Sequence, residues 1–274
     1  MKTGECDPTA LEYLATLGVL GRSPGTINSY RKVLRQWCPF LGRPTVEATR
    51  LDALRYVKAR QDAGRAPGDV RLHSVTLRAF YNWLLAEGLV SANPFERLKI
   101  TVPERIEVTA TDADVEAMVK EAGTDRRALA LVYLLADTGA RCAEVANVAV
   151  GDLDFMSGTV RFRISKTQAR VVPLSDRAYL ALQRWLRKRG TTPGNIWSVV
   201  DGPQWVSKTI NRLSKSTMTP HALRRGFAVR WLQSGGSETG LMRIAGWRSV
   251  TMIARYTRAS ADLLAADEMR RLMS

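Results

Sequence analysis

Histidine and cysteine are scarce in this chain. Its 274 residues hold two histidines, His73 and His221, and three cysteines, Cys6, Cys38 and Cys142. An odd set of widely scattered thiols is neither a disulfide framework nor a zinc-ligand pattern. With so few histidines and no clustered acids, no metal ligand set is expected. No apolar run approaches the ~18 residues that a membrane span needs. The opening stretch MKTGECDPTALEYL has no apolar signal core and carries acids early, so the expected setting is the cytoplasm, with reduced thiols. Internal repeats and low-complexity tracts are also missing. Acids are outnumbered: 41 lysines and arginines face 26 aspartates and glutamates, a formal charge of +15.

What is present points to a folded polyanion binder. Hydrophobic residues make up 45% of the chain, enough for real cores, and the length suits one large domain or two ordinary ones. A positive excess of this size on a globular protein favours nucleic acid over a membrane surface as the partner.

The first hundred residues read as helices separated by turn signals. ALEYLATLGVL (10–20) is the first. Ser23 before Pro24 then suits a helix start. In TINSYRKVLRQWCPFL, Ile27, Tyr30, Leu34, Trp37 and Cys38 form one stripe at helical spacing. LDALRYVKARQDAG and VRLHSVTLRAFYNWLLAEG complete a small all-helical domain, placed at residues 1–97. Residues 91–107 are proline-punctuated and without a clean period, and a linker is placed at 98–107. The second domain, 108–274, opens with Thr111 and Asp114 spaced as a capping box. RRALALVYLLADTGAR is apolar nearly all round and reads as a buried helix. TVRFRIS (159–165) and RVVPL (170–174) alternate and read as a β-hairpin. Helical patterns fill the remainder, ending in a short amphipathic tail, ADLLAADEMRRLMS.

Each polar residue that stands out has an ordinary explanation by itself. Arg141 could cap a helix or pair with Glu144, Lys166 could be an exposed turn lysine, and His221 could be a surface or capping residue. Trp247 and Tyr256 could be core residues. Together they sit in five segments: TGARCAEV (138–145), ISKTQARVVPL (164–174), HALRRGFA (221–228), IAGW (244–247) and ARYTRAS (254–260). In order and spacing these resemble the tyrosine recombinase (phage integrase) family, and the helical first domain resembles that family's core-binding domain. The fold class implied is mainly α with a small β-sheet or hairpin: a helical core-binding domain plus a mixed α+β catalytic domain.

The resemblance implies a DNA strand transferase working through a covalent 3′-phosphotyrosine, without metal, ATP or any other cofactor. Arg141 and Arg224 would bind the non-bridging phosphate oxygens, for which planar guanidinium forks are suited. Tyr256 would be the nucleophile. A phenol with a pKa near ~10 is almost wholly protonated at neutral pH, so it needs a cationic field and a proton acceptor. His221 fits the acceptor, because three residues along a helix place it on one face with Arg224. Lys166 fits the general acid for the 5′ oxygen. Glu144 would orient an arginine or His221. Trp247 stands where many members have histidine; its indole N–H can donate to phosphate but cannot exchange a proton.

DNA contacts are expected from Arg31, Lys32, Arg35, Arg71 and Arg78 on the helical domain, with segments 25–40 and 69–86 nearest a groove. Lys99 and Arg105 in the linker and Gln168 and Arg170 on the hairpin are further candidates, and Arg225, about 100° away from Arg224 around a helix, is assigned to structure or to DNA backbone. Implied partners are double-stranded DNA with inverted half-sites, four protomers exchanging strands through a Holliday junction, and a directionality factor. Because helical patterning begins by residue 10, a simple form without an arm-binding N-terminal domain is expected. Integration of phage or mobile-element DNA is the reading preferred. A Xer-like chromosome-dimer resolvase, a type IB-like topoisomerase and a DNA binder with a dead active site remain open here.

Overall fold

A computed structural model describes residues 7–103, 107–163, 169–197 and 202–273. The chain divides into two compact units, Met1–Arg105 and Ile106–Ser274.

Unit 1 holds α1 (Pro8–Val19), α2 (Pro24–Leu41), α3 (Arg50–Asp62) and α4 (Pro67–Ala86). Local chemistry sets the starts. Proline occupies the first position of α1, α2 and α4, where its missing N–H costs nothing. Asp7 and Ser23 cap the first two helices by accepting from the N–H groups of Ala10 and Thr26. Thr49 and Asp52 close a reciprocal capping box on α3. The stripe predicted on α2 faces the core: Leu34, Trp37 and Cys38 are buried, with Ile27 and Tyr30 packed at its edge. Trp37 Nε1 donates to the Tyr81 hydroxyl at 3.0 Å, which donates to the Thr45 carbonyl at 2.9 Å. This relay satisfies two buried polar groups. His73 is also inside, with Nδ1 2.8 Å from the Tyr56 hydroxyl. Arg78, expected among the DNA contacts, is half-buried. Its Nε donates to the Phe95 carbonyl at 3.0 Å and its Nη2 to that of Leu98, fastening α4 to the segment that follows it.

Unit 2 runs α5 (Asp112–Ala122), α6 (Arg126–Thr138), α7 (Cys142–Ala146), β1 (Leu153–Asp154), β2 (Thr159–Phe162) and β3 (Arg170–Pro173). It continues with α8 (Asp176–Arg189), α9 (Pro203–Leu213), α10 (Pro220–Gln233), α11 (Glu238–Ala245), α12 (Val250–Thr257) and α13 (Ala261–Met273). The predicted Thr111–Asp114 capping box starts α5. Helix α6 is buried along most of its length, as its apolar sequence requires, and packs on α5, α8 and α10. The expected hairpin belongs to a three-stranded antiparallel sheet. The pair Leu153–Asp154 adds an edge to β2, and Phe162 of β2 pairs with Arg170 of β3. A two-residue strand carries too little alternation to be read from sequence. Helix α10 runs through the middle, touching α6, α11, α12 and α13. Helix α13 buries none of its residues, and is held by Gln233 donating to Asp267 at 3.0 Å and Arg271 donating to the Leu232 carbonyl at 3.2 Å.

Candidate active site

The site forms where three chain reversals meet. Helix α6 ends at Gly139 in the left-handed conformation (φ 57°), which frees the Gly139 carbonyl and turns the chain toward Arg141. Arg141 is the N-cap residue of α7, and Glu144 is its third helical position. Glu144 follows Arg141 by three residues in the sequence. The structure gives a tighter link, because the Glu144 carboxylate accepts the backbone N–H of Arg141 at 2.8 Å and its Nη1 at 2.9 Å. Helix α10 starts at Pro220 with Thr219 as its cap, so His221 and Arg224 stand on its first turns. Helix α11 ends at Gly246, again left-handed (φ 65°), and Trp247 follows.

The last carbonyls of α11 organise the basic groups. An α-helix leaves these oxygens without intrahelical donors and at the negative end of its dipole. Three guanidiniums take three consecutive ones. Arg170 Nε donates to Ile244 at 2.6 Å, Arg224 Nη2 to Ala245 at 2.7 Å, and Arg141 Nη2 to Gly246 at 3.3 Å. Arg224 also donates through Nη1 to the Gly139 carbonyl, so one side chain joins the ends of α6 and α11. It is 1% exposed.

Against this cluster lies Tyr256, on α12. Its ring stacks on Trp247 with centroids 4.8 Å apart and meets His221 edge-on at 6.5 Å. The Arg224 guanidinium carbon is 5.2 Å from the Trp247 ring centre and 5.7 Å from that of Tyr256. Two buried N–H donors, Arg224 Nε and Trp247 Nε1, have no hydrogen-bond acceptor among the described residues. Buried donors are seldom left this way, and both suit an anionic oxygen.

The electrostatics agree with an anion site. Burial, and then repulsion from Arg141, bring Arg224 down from 12.5 to about 10; it stays charged at neutral pH. Burial, followed by the charges of Arg224 and Arg225, holds His221 below its ordinary value, so at neutral pH it is an uncharged base. Burial opposes ionisation of Glu144, but the hydrogen bonds and charges of Arg170 and Arg141 outweigh it and bring the carboxyl to about 2.

The structure thus gathers Arg141, Glu144, His221, Arg224, Trp247 and Tyr256 into one place. Lys166, Gln168 and Arg105 lie outside the described residues. Lys32, Arg35, Arg71 and Lys99 are exposed and Arg31 is half-exposed, as surface contacts require. Two other candidates face inward. Arg225 donates to the Val108 carbonyl and to Glu107, both at 2.7 Å, and its side chain is 9% exposed. Arg170 forks onto Glu144, with Nη1 and Nη2 at 2.9 and 2.8 Å from its two oxygens. Sequence reasoning assigned Arg170 to DNA. The alternation of RVVPL carried the contrary signal, since a period of two puts Arg170 on the face of buried Val172.

Comparison with known proteins gives the same outline. The phage integrase family matches residues 109–262, and the N-terminal SAM-like domain of phage integrases matches residues 11–88. The tyrosine recombinase XerC of Pelobacter propionicus is 25% identical over 263 residues, covering 88% of this chain and 87% of the relative. The Tn1549 transposon integrase in complex with transposon right end DNA has a similar fold, with a TM-score of 0.76 at 20% identity, over 97% of this chain and 99% of that one. A lambda integrase tetramer bound to a Holliday junction also aligns with a TM-score of 0.76 at 20% identity, over 90% of this chain and 76% of that one. Among the described residues no helix is long and apolar enough to cross a membrane.

Proposed function

The chain belongs to the phage integrase family of tyrosine recombinases, and from that premise we propose that it cuts and rejoins DNA at specific sites with Tyr256 as nucleophile. The carrying observation is the packing of Tyr256 on Trp247 beside Arg224, where two buried donors have no acceptor among the described residues.

In this reading Arg141 and Arg224 hold the two non-bridging oxygens of the scissile phosphate, and Trp247 Nε1 adds a third donor. Fixed donors aimed at developing negative charge are the main source of rate in phosphoryl transfer. The Tyr256 oxygen attacks phosphorus, and its proton passes to uncharged His221. The bond from phosphorus to the 5′ oxygen breaks, and Lys166 supplies the proton that the 5′ oxygen takes up. The product is a 3′-phosphotyrosine and a free 5′-hydroxyl. A 5′-hydroxyl from a partner strand then reverses the sequence, releasing Tyr256. No outside energy source enters, because the ester bond broken is replaced by one of like kind.

Unit 1 serves as the core-type DNA-binding domain and unit 2 as the catalytic domain. The substrate is double-stranded DNA with inverted half-sites, bound by four protomers, and a directionality factor biases the outcome. Resemblance to solved integrases favours integration of phage or mobile-element DNA. The name XerC carried by curated relatives favours a resolvase as the second reading. Incubating two differently labelled duplexes cloned from the host's flanking regions, and sequencing the DNA held on trapped protein, tests both. Joined duplexes of unlike origin support integration, and junctions within one replicon support resolution. Relaxed supercoils without joined strands would mean a topoisomerase.

A further inference from the structure

We propose that Arg170 is a positioning residue for the strand-transfer reaction, setting the aim of Arg141 through Glu144 without itself touching DNA. The inference rests on the proposed function of this site.

Arg170 opens β3, and its side chain is 7% exposed. It is fixed on four sides. Its two terminal nitrogens fork onto both oxygens of Glu144. Its Nε holds the Ile244 carbonyl at the end of α11. Its guanidinium carbon lies 4.9 Å from the ring centre of Phe162, its cross-strand partner. Finally it packs against Gly246, where an added Cβ would come within 3.0 Å of Nη1. A side chain so engaged is poorly placed to grip a DNA backbone.

What it does follows from how Glu144 is shared. Each carboxylate oxygen accepts one bond from Arg170 and one from Arg141: Oε1 takes Arg141 Nη1, and Oε2 takes the Arg141 backbone N–H. Glu144 is 3% exposed. Without Arg170, a buried carboxylate would keep Arg141 as its remaining close cation in this set, and an uncompensated buried charge binds its remaining partner hard. Arg141 would be drawn toward Glu144, in competition with the phosphate. Arg170 neutralises that pull and at the same time ties β3 to the end of α11, which carries Trp247. Arg170 also lies four residues after Lys166, the proposed general acid, in the sequence, and it anchors the start of β3.

The test compares Arg170→Gln, Arg170→Lys, Glu144→Gln and the double variant Arg170→Gln/Glu144→Gln in the full chain. Two quantities are read on one nicked suicide duplex: the single-turnover rate of covalent adduct formation at saturating enzyme, and the Kd with its salt slope. Misplacing a catalytic group by about 1 Å costs about 10²-fold in rate, so Arg170→Gln should slow adduct formation by about that factor with Kd and salt slope unchanged. Arg170→Lys keeps the charge without the fork and should fall between. Removing the Glu144 charge should release Arg141, so the double variant should recover about tenfold over Arg170→Gln. A merely structural role predicts the reverse, with the double variant worse than either single one. A weakened Kd with a shallower salt slope and a normal rate would make Arg170 a DNA contact and overturn the proposal. Should Arg170→Gln fail to fold, the Arg170→Lys rate and its rescue by Glu144→Gln decide the matter. An unmodified protein that forms no adduct would instead overturn the recombinase reading itself, whereas wild-type rates for the Arg170 variants would sink only this assignment.

Discussion

Replacing Gly139 by alanine should damage both stability and chemistry, in amounts that the geometry sets. Gly139 has φ 57°, a region that costs an alanine about 1–2 kcal/mol. A Cβ at this position would also lie 2.4 Å from Cδ1 and 3.0 Å from Cγ of Phe227, which is 8% exposed and has little room to retreat. Overpacking of that kind costs about 1–3 kcal/mol. Together the two make about 2–5 kcal/mol, a large share of the roughly 5–15 kcal/mol that holds an ordinary domain together. Five of the seven tryptophans lie in unit 2, so urea unfolding followed by tryptophan fluorescence reports the unit concerned. Adding Phe227→Leu should relieve the clash but not the backbone strain, so the double variant should be more stable than the sum of the two single changes allows. Gly139 also supplies the carbonyl that receives Arg224. Adduct formation under folding conditions should therefore slow by about 10²-fold. A loss of less than about 1 kcal/mol with normal cleavage would refute the reasoning.

Three further outcomes follow from single contacts. Trp247→Phe keeps a ring against Tyr256 but removes the buried Nε1 donor, so cleavage should fall about tenfold to a hundredfold with little change in stability, as expected for one hydrogen bond to a charged group; equal rates would remove Trp247 from the chemistry. Because burial and the neighbouring arginines depress the pKa of His221, it remains an effective base until the pH falls through that lowered value. The acid limb of kcat/KM should lie below pH 6.5 and disappear in His221→Gln; a limb above pH 6.5 would contradict the assignment. Burial, then Arg60, lowers His73 from 6.5 to about 4, so the unfolded chain takes up this proton first as pH falls. Its contribution is complete above pH 6.5 and declines down to about pH 4, by as much as about 3 kcal/mol. The decline should be smaller in His73→Gln when Tm is followed against pH.

Much of this was legible in the chain itself. Helical periodicity, Pro24 at a helix start and the Thr111–Asp114 box are local signals, and the helices formed where those signals lie. The order of the five motifs also marked the residues that now cluster around Arg224. The arginines were harder to sort. Arg78, Arg170 and Arg225 look in sequence like any solvated basic residue, yet each donates to backbone carbonyls distant along the chain: Phe95, Ile244 and Val108. Such acceptors exist only after folding, when helix and segment ends present their free oxygens. The same holds for the meeting of three guanidiniums at residues 244–246, which no spacing rule encodes. Arg141 caps α7 and pairs with Glu144, two roles its local sequence allows, but a five-residue helix leaves almost no periodic trace by which to place its start.

The central claim is that a phenol in a cationic pocket becomes esterified to a broken DNA strand. The direct measurement is mass spectrometry of the proteolysed, denaturant-resistant adduct trapped on a nicked duplex. The account predicts a nucleotide joined through a 3′-phosphate to the α12 peptide at Tyr256, and no adduct from Tyr256→Phe. A nucleotide on any other side chain, or an undiminished adduct from Tyr256→Phe, would contradict it.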